Sequence, residues 1–134
     1  MAYLKSINVT KNNWESVNEK VIAVGVYNDM SMSVLAKKID EESSGSLKNI
    51  LNISKTKNKI GEVNHFYFND RQILILGLGK KGKLKPEKLR KIGAAASRFA
   101  SSKKIASFAI ETFFSEDNLN ALAEGLILGS YQFL

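Results

Sequence analysis

Arg71 to Ala100, RQILILGLGKKGKLKPEKLRKIGAAASRFA, is the stretch on which the reading of this chain turns. Ile73, Leu74, Ile75 and Leu76 form a continuous apolar run, the pattern of a strand covered on both faces. Gly77, Gly79 and Gly82 then interrupt it. Pro86 suits the first turn of a helix, where its missing N–H costs nothing. Beyond it Leu89, Ile92, Ala96, Phe99 and Ala100 recur at helical spacing and share one face. A doubly buried strand followed by a one-faced helix is the repeating unit of a layered α/β domain.

Working upstream, Asn69 and Asp70 read as a tight hairpin turn joining this strand to another over Lys59–Phe68. Before it lies a polar loop, SKTKNK (Ser54–Lys59), a candidate for local disorder. Leu47, Ile50 and Leu51 mark one short helix, capped by Ser44 or Ser46 after a break at Gly45. Met32, Leu35, Ala36 and Ile39 mark another. VIAVGVY (Val21–Tyr27) is an unbroken β-branched strand in which Gly25 allows close backbone approach. Tyr3, Leu4, Ile7 and Val9 suggest a first strand, and Trp14 a packing anchor. Downstream, Lys103–Ile110 reads as a strand and Ser115 as the N-cap of a last helix with Leu119, Leu122, Ala123, Leu126 and Ile127 on its apolar face. The order ββααββαβα predicts an α/β fold with a mixed sheet.

With 134 residues the chain has room for one domain and its core. It contains no cysteine, which excludes disulfides and thiolate metal sites. No apolar run reaches the length of a membrane span and the N-terminus has no apolar signal core, so the expectation is a soluble intracellular protein. The net charge is +7, and most of it is local: Lys80, Lys81, Lys83, Lys85, Lys88, Arg90 and Lys91 face the single acid Glu87. Such a cluster reads either as a solvated face or as an anion or nucleic-acid contact, with Lys80, Lys81, Lys83 and Lys85 as the candidate residues. No aromatic residue is interleaved with them, so base stacking is not supported.

Gly77–Gly82 matches G-x-G-x-x-G, the phosphate-cradling motif of dinucleotide folds. Lys83, Leu84 and Lys85 intervene before the helix begins, however, and this is wrong for a helix N-terminus pressed on a phosphate. The bland reading is a turn that needs glycine conformations. His65 is the only histidine and reads as a structural or surface residue of a strand. Asp40, Glu41 and Glu42 are adjacent and cannot converge on one metal. The residues therefore show no catalytic, cofactor-binding or metal-ligating set.

The motifs taken in order do resemble a family. A VGVY strand is followed by IDEESSGSL, a KIGE strand, ILILGLGK, the basic and alanine-rich LRKIGAAASR, and finally ALAEGLILGSYQF. In that order they are similar to the N-terminal domain of the leucyl (cytosol) aminopeptidases, over essentially the whole chain. The most specific pieces are Leu76–Lys80 and Glu124–Phe133. The resemblance implies a three-layer α/β/α, macro-domain-like fold and a single non-catalytic domain over residues 1–134. It implies a cytoplasmic parent enzyme that releases N-terminal residues from peptides, uses two divalent metals (zinc or manganese) and assembles as a hexamer. In that family the metal ligands and catalytic residues belong to the C-terminal domain. The chain stops at Leu134, about where the connection to that domain begins, so no position here receives such a role and the fragment is expected to be inactive alone. The alternative is a free-standing macro-like module that binds a nucleotide diphosphate or nucleic acid through Gly77–Lys91.

Overall fold

The computed structural model describes residues 6–10, 20–82, 85–105 and 107–111. The element order is β1 (Ser6–Thr10), β2 (Val21–Val26), α1 (Val34–Glu42), α2 (Ser46–Ser54), β3 (Val63–Phe68), β4 (Arg71–Gly77), α3 (Pro86–Ser102) and β5 (Ser107–Glu111). Tyr3, Leu4, Trp14, Lys83 and the helix expected from Ser115 onward lie outside the described residues.

The strands make one sheet in the order β1-β5-β2-β4-β3. β1, β5, β2 and β4 are parallel and β3 is antiparallel to β4, so the sheet is mixed, as the element order implied. Alternate side chains of a strand point to opposite faces. Ile22, Val24, Val26, Ile73 and Ile75 pack under Leu35, Ala36 and Ile39 of α1 and Leu47 and Leu51 of α2. Val21, Ala23, Leu74 and Leu76 pack on the other face against Leu89, Ile92, Ala96 and Ala100 of α3. Apolar residues on both faces of β2 and β4 thus require helices on both faces, and three layers result. Each fully buried leucine or isoleucine in these layers contributes about 1.5–3 kcal/mol. Among the described residues no helix is long and apolar enough to cross a membrane.

The hairpin forms as expected. Asn69 and Asp70 both take positive φ (52° and 61°), the geometry that suits the twist of paired strands. Phe68 then pairs with Arg71.

Four local expectations are corrected. β3 begins at Val63, because Lys59–Glu62 closes a turn (Glu62 N–H to the Lys59 carbonyl, 3.0 Å) with Gly61 at φ 102°. β5 begins at Ser107, because Lys103–Ile105 terminates α3. There the Lys104 N–H bonds to the Ser101 carbonyl at 3.1 Å and the Ile105 N–H to the Ala100 carbonyl at 2.8 Å, with Lys104 left-handed. This is the Schellman pattern, with lysine in the place usually held by glycine. Neither Ser44 nor Ser46 caps α2. Its N-cap is Gly45, and the Asp40 carboxylate reaches over from α1 to accept the Lys48 N–H at 2.9 Å. The SKTKNK loop is ordered rather than loose: Asn58 within it is 1% exposed.

Candidate functional site

An open α/β sheet offers a crevice outside the carboxyl ends of its strands, where neighbouring connections leave to opposite faces. β2 leads into α1 on one face, and its neighbour β4 leads toward α3 on the other. The crevice position therefore lies between Val26 and Gly77, where the glycine-rich motif begins.

Here the two connections close on each other. The Leu78 N–H donates to the Val26 carbonyl at 3.0 Å, and the Asn28 N–H to the Gly79 carbonyl at 2.9 Å. From the α2–β3 loop the Asn58 carbonyl accepts the Gly79 N–H at 2.9 Å. The Asn58 side-chain nitrogen donates to the Tyr27 carbonyl at 3.3 Å and lies 3.3 Å from Met30 Sδ. Three loops are thereby tied by one buried asparagine. Ser33 braces the same end: its hydroxyl accepts the Gly25 N–H at 3.3 Å and caps α1 through the Ala36 N–H at 3.4 Å.

The glycines have distinct reasons. Gly77 sits in β4, and a Cβ there would collide with the Lys59 carbonyl and the Asn58 backbone. Gly25 allows a close approach, but of a side chain: a Cβ would lie 2.6 Å from Leu78 Cδ1, and Leu78 is fully buried. α3 starts at Pro86, well past Gly82, and its N-cap Lys85 makes no side-chain capping bond. The motif is thus a loop-packing device, with peptide groups satisfying one another where a phosphate would sit in a dinucleotide fold.

Outside the closed crevice the surface is cationic. Lys80, Lys81 and Lys85 are exposed, and Lys81 Nζ donates to Ser31 Oγ at 3.4 Å. The Asp29 carboxyl is held below its ordinary value, chiefly by the Ser31 side chain and then by the Ser31 N–H at 2.9 Å, with Lys81 a lesser cause. The Glu62 carboxyl is also held below its ordinary value, mainly by the Thr56 hydroxyl, with help from the Lys59 N–H (3.1 Å). Both acids are therefore anionic at neutral pH, and Glu62 is the internal brace of the SKTKNK loop.

His65 lies half-buried on β3. Its Nδ1 is 3.3 Å from Gln72 Nε2, and its ring packs 5.4 Å from that of Phe99, a structural setting as expected. Asp40 is occupied in capping α2. An open groove of about 380 Å³ runs between Gly61 and Val63 on the sheet edge and Ala95, Arg98, Phe99 and Ser102 of α3. Among the described residues no three histidine, aspartate or glutamate side chains are grouped so as to hold a metal ion. Asn58, Ser33 and Glu62 escaped sequence reasoning. Their importance comes from partners in other loops, and an asparagine flanked by lysines carries no local mark of burial.

A family model described as the cytosol aminopeptidase family, N-terminal domain, matches residues 23–134. A probable cytosol aminopeptidase of Clostridium perfringens is 34% identical over 107 residues, which cover 76% of this chain and 20% of that protein. Another, from Sulfurihydrogenibium, is 25% identical and covers 95% of this chain and 27% of its own length. The chain thus spans about a quarter or less of the curated relatives it matches. Among solved structures, a variant of tomato leucine aminopeptidase superposes with a TM-score of 0.73 at 21% identity, over 94% of this chain and 28% of that one. The macrodomain of Mycobacterium tuberculosis DarG superposes with a TM-score of 0.66 at 12% identity, over 96% of this chain and 92% of that one. These two likenesses establish the macro-like fold.

Proposed function

The chain belongs to the cytosol aminopeptidase family, as its N-terminal domain, and from this premise we propose that residues 1–134 are a single non-catalytic domain of a metal-dependent leucyl aminopeptidase. The parent enzyme would release N-terminal residues from peptides in the cytoplasm. The family match over residues 23–134 carries the reading, and the tomato leucine aminopeptidase likeness supports it.

The described residues do not fit the two zinc or manganese ions that such a parent uses, since no three ligating side chains among them converge. No catalytic step is therefore derived through them. The reading assigns the metals to a C-terminal catalytic domain and gives this domain the role of supporting assembly, with that catalytic domain and the other subunits of a hexamer as its partners. The nucleotide-diphosphate alternative is less well supported, because the loops that would have to open are bonded to each other.

The test is direct. The 134-residue chain, shown to be folded by a cooperative thermal transition, is mixed with manganese and a chromogenic leucine substrate. The expected result is no turnover above a metal-only blank. Turnover that titrates with protein would overturn the assignment of this chain as non-catalytic.

A further inference from the structure

Among the described strands β3 stands at one edge of the sheet and pairs with β4 alone. The register decides which of its backbone groups that pairing uses. Glu62, opposite Gly77, accepts the Gly77 N–H at 2.9 Å, so this pair is of the hydrogen-bonded kind, and in an antiparallel ladder every second pair is. Asn64, Phe66 and Phe68 therefore turn their N–H and C=O groups to β4, and Val63, His65 and Tyr67 turn theirs outward. The other side of β4 agrees: the Gln72 N–H, opposite Tyr67, bonds away from β3 to the Lys20 carbonyl at 2.9 Å. Edge strands are commonly blunted by a charge, a proline or a bulge. β3, VNHFYF, has no charged residue and no proline, and its register runs unbroken from Val63 to Phe68. Its outward residues carry their side chains on the α3 face: Val63 packs on that core, His65 on Phe99, and Tyr67 edge-on to His65 at 6.2 Å. Tyr67 is 73% exposed, more than any other large apolar side chain among the described residues.

We propose that β3 is the docking edge for a second copy of this chain, whose own β3 adds antiparallel about a two-fold axis centred on His65. A two-fold contact needs a patch that matches itself. The outward residues are evenly spaced about His65, so Val63 meets Tyr67 of the second copy and His65 meets its counterpart. Each of these pairs can exchange both of its N–H···O bonds. Opposed residues share a face, and a β-branched residue opposite an aromatic one is a favourable cross-strand pair. The exposed Tyr67 of the second copy thus falls on the α3 side beside Val63. There the open groove of about 380 Å³ lies between Gly61 and Val63 and the α3 residues Ala95, Arg98, Phe99 and Ser102. Charge follows the same alignment, which brings the Asn69–Asp70 turn of one copy to the Lys59–Glu62 turn of the other. Exposed Asp70 then approaches exposed Lys59 and the Arg98 of the groove, while Glu62 is already engaged by the Thr56 hydroxyl and the Lys59 N–H. Symmetry repeats each contact, so the edge matches a copy of itself better than a foreign strand. This interface stands independently of the peptidase reading.

The experiment is sedimentation equilibrium of the full 134-residue chain, from about 10 μM to about 1 mM, because one strand and one groove make a small and therefore weak interface. A reversible monomer–dimer equilibrium is expected. Tyr67→Lys sets a charge on the edge at a position that is already exposed, and should weaken the association about tenfold or more at unchanged melting temperature. Val34→Lys, at the similarly exposed start of α1, should leave it unchanged. A second measurement reads the register without relying on either variant. The chain has no cysteine, so the cysteine of His65→Cys can join only its counterpart. Residues opposed in such a pair stand about 5.5 Å apart at Cα, within reach of a disulfide. Under mild oxidation His65→Cys should form a covalent dimer several-fold faster than Val34→Cys. A parent chain that stays monomeric at the highest concentration would overturn the second copy as occupant. A dimer that Tyr67→Lys leaves intact, or cross-linking no faster at position 65 than at 34, would place the contact elsewhere and overturn the β3 interface.

Discussion

Asn58 is a polar residue that the fold could not keep if it were unpaired. At 1% exposure it holds Tyr27, Met30 and Gly79 from three directions. Removing a buried polar group's partners costs about 1–3 kcal/mol, so its burial is tolerated only because those partners are preset by β2 and β4. Gly77 is the counterpart on the strand side. Gly77→Ala must push backbone against backbone at Lys59 and Asn58, with no flexible side chain to yield. A loss of about 1–3 kcal/mol is expected, read as a lower denaturant midpoint at unchanged slope.

Glu62 carries a pH signature at the same scale. Its folded carboxyl is held below the ordinary 4.5, mainly by Thr56, while the unfolded chain has the ordinary value. The folded state therefore binds fewer protons near and below that pH. The stability it contributes is fully present above 4.5 and is lost as pH falls through the lowered folded value. Glu62→Gln should destabilise the chain at neutral pH, and the deficit should shrink as acid titrates the parent. Denaturant titrations at several pH values would measure this. A deficit that stays constant with pH would assign the role to packing rather than charge.

At the scale of the element, the helix ends are where local sequence misleads. Serines flank the α1–α2 break, yet the group that satisfies the first turn of α2 is Asp40, eight residues before Lys48. Asp40→Ala should cost about 0.5–2 kcal/mol of stability, whereas Asp40→Asn, which keeps the accepting oxygen, should cost much less. Paired thermal melts would distinguish the two. A serine rule fails here because Ser44 is already left-handed, completing the end of α1, and Ser46 Oγ bonds to the Ser43 carbonyl instead. The shortened starts of β3 and β5 have a related cause: the Lys59–Glu62 turn before β3, and the hydrogen bonds that finish α3 before β5, consume residues that would open the strand.

At the scale of the whole molecule, helices on both faces follow from apolar residues on both faces of β2 and β4. The family match covers most of this chain but a minor part of its relatives. An antibody against this domain should therefore detect in its source cell a polypeptide several times larger than 14.9 kDa. A species near 14.9 kDa would favour a free-standing module over the peptidase reading.

The sequence by itself determined the layered α/β class, the Asn69–Asp70 hairpin and the start of α3 at Pro86. Each rests on periodicity or on a backbone preference that neighbours in the chain carry with them. The ordered motifs also pointed to the family. Only the tertiary structure decided that Gly77 and Gly79 serve loop packing, that the SKTKNK loop is held rather than loose, and that its lysines stand beside Lys80 and Lys81. Those outcomes depend on contacts between segments about twenty or more residues apart, whose free energy is set by sheet order and strand register and leaves no pattern in either segment alone.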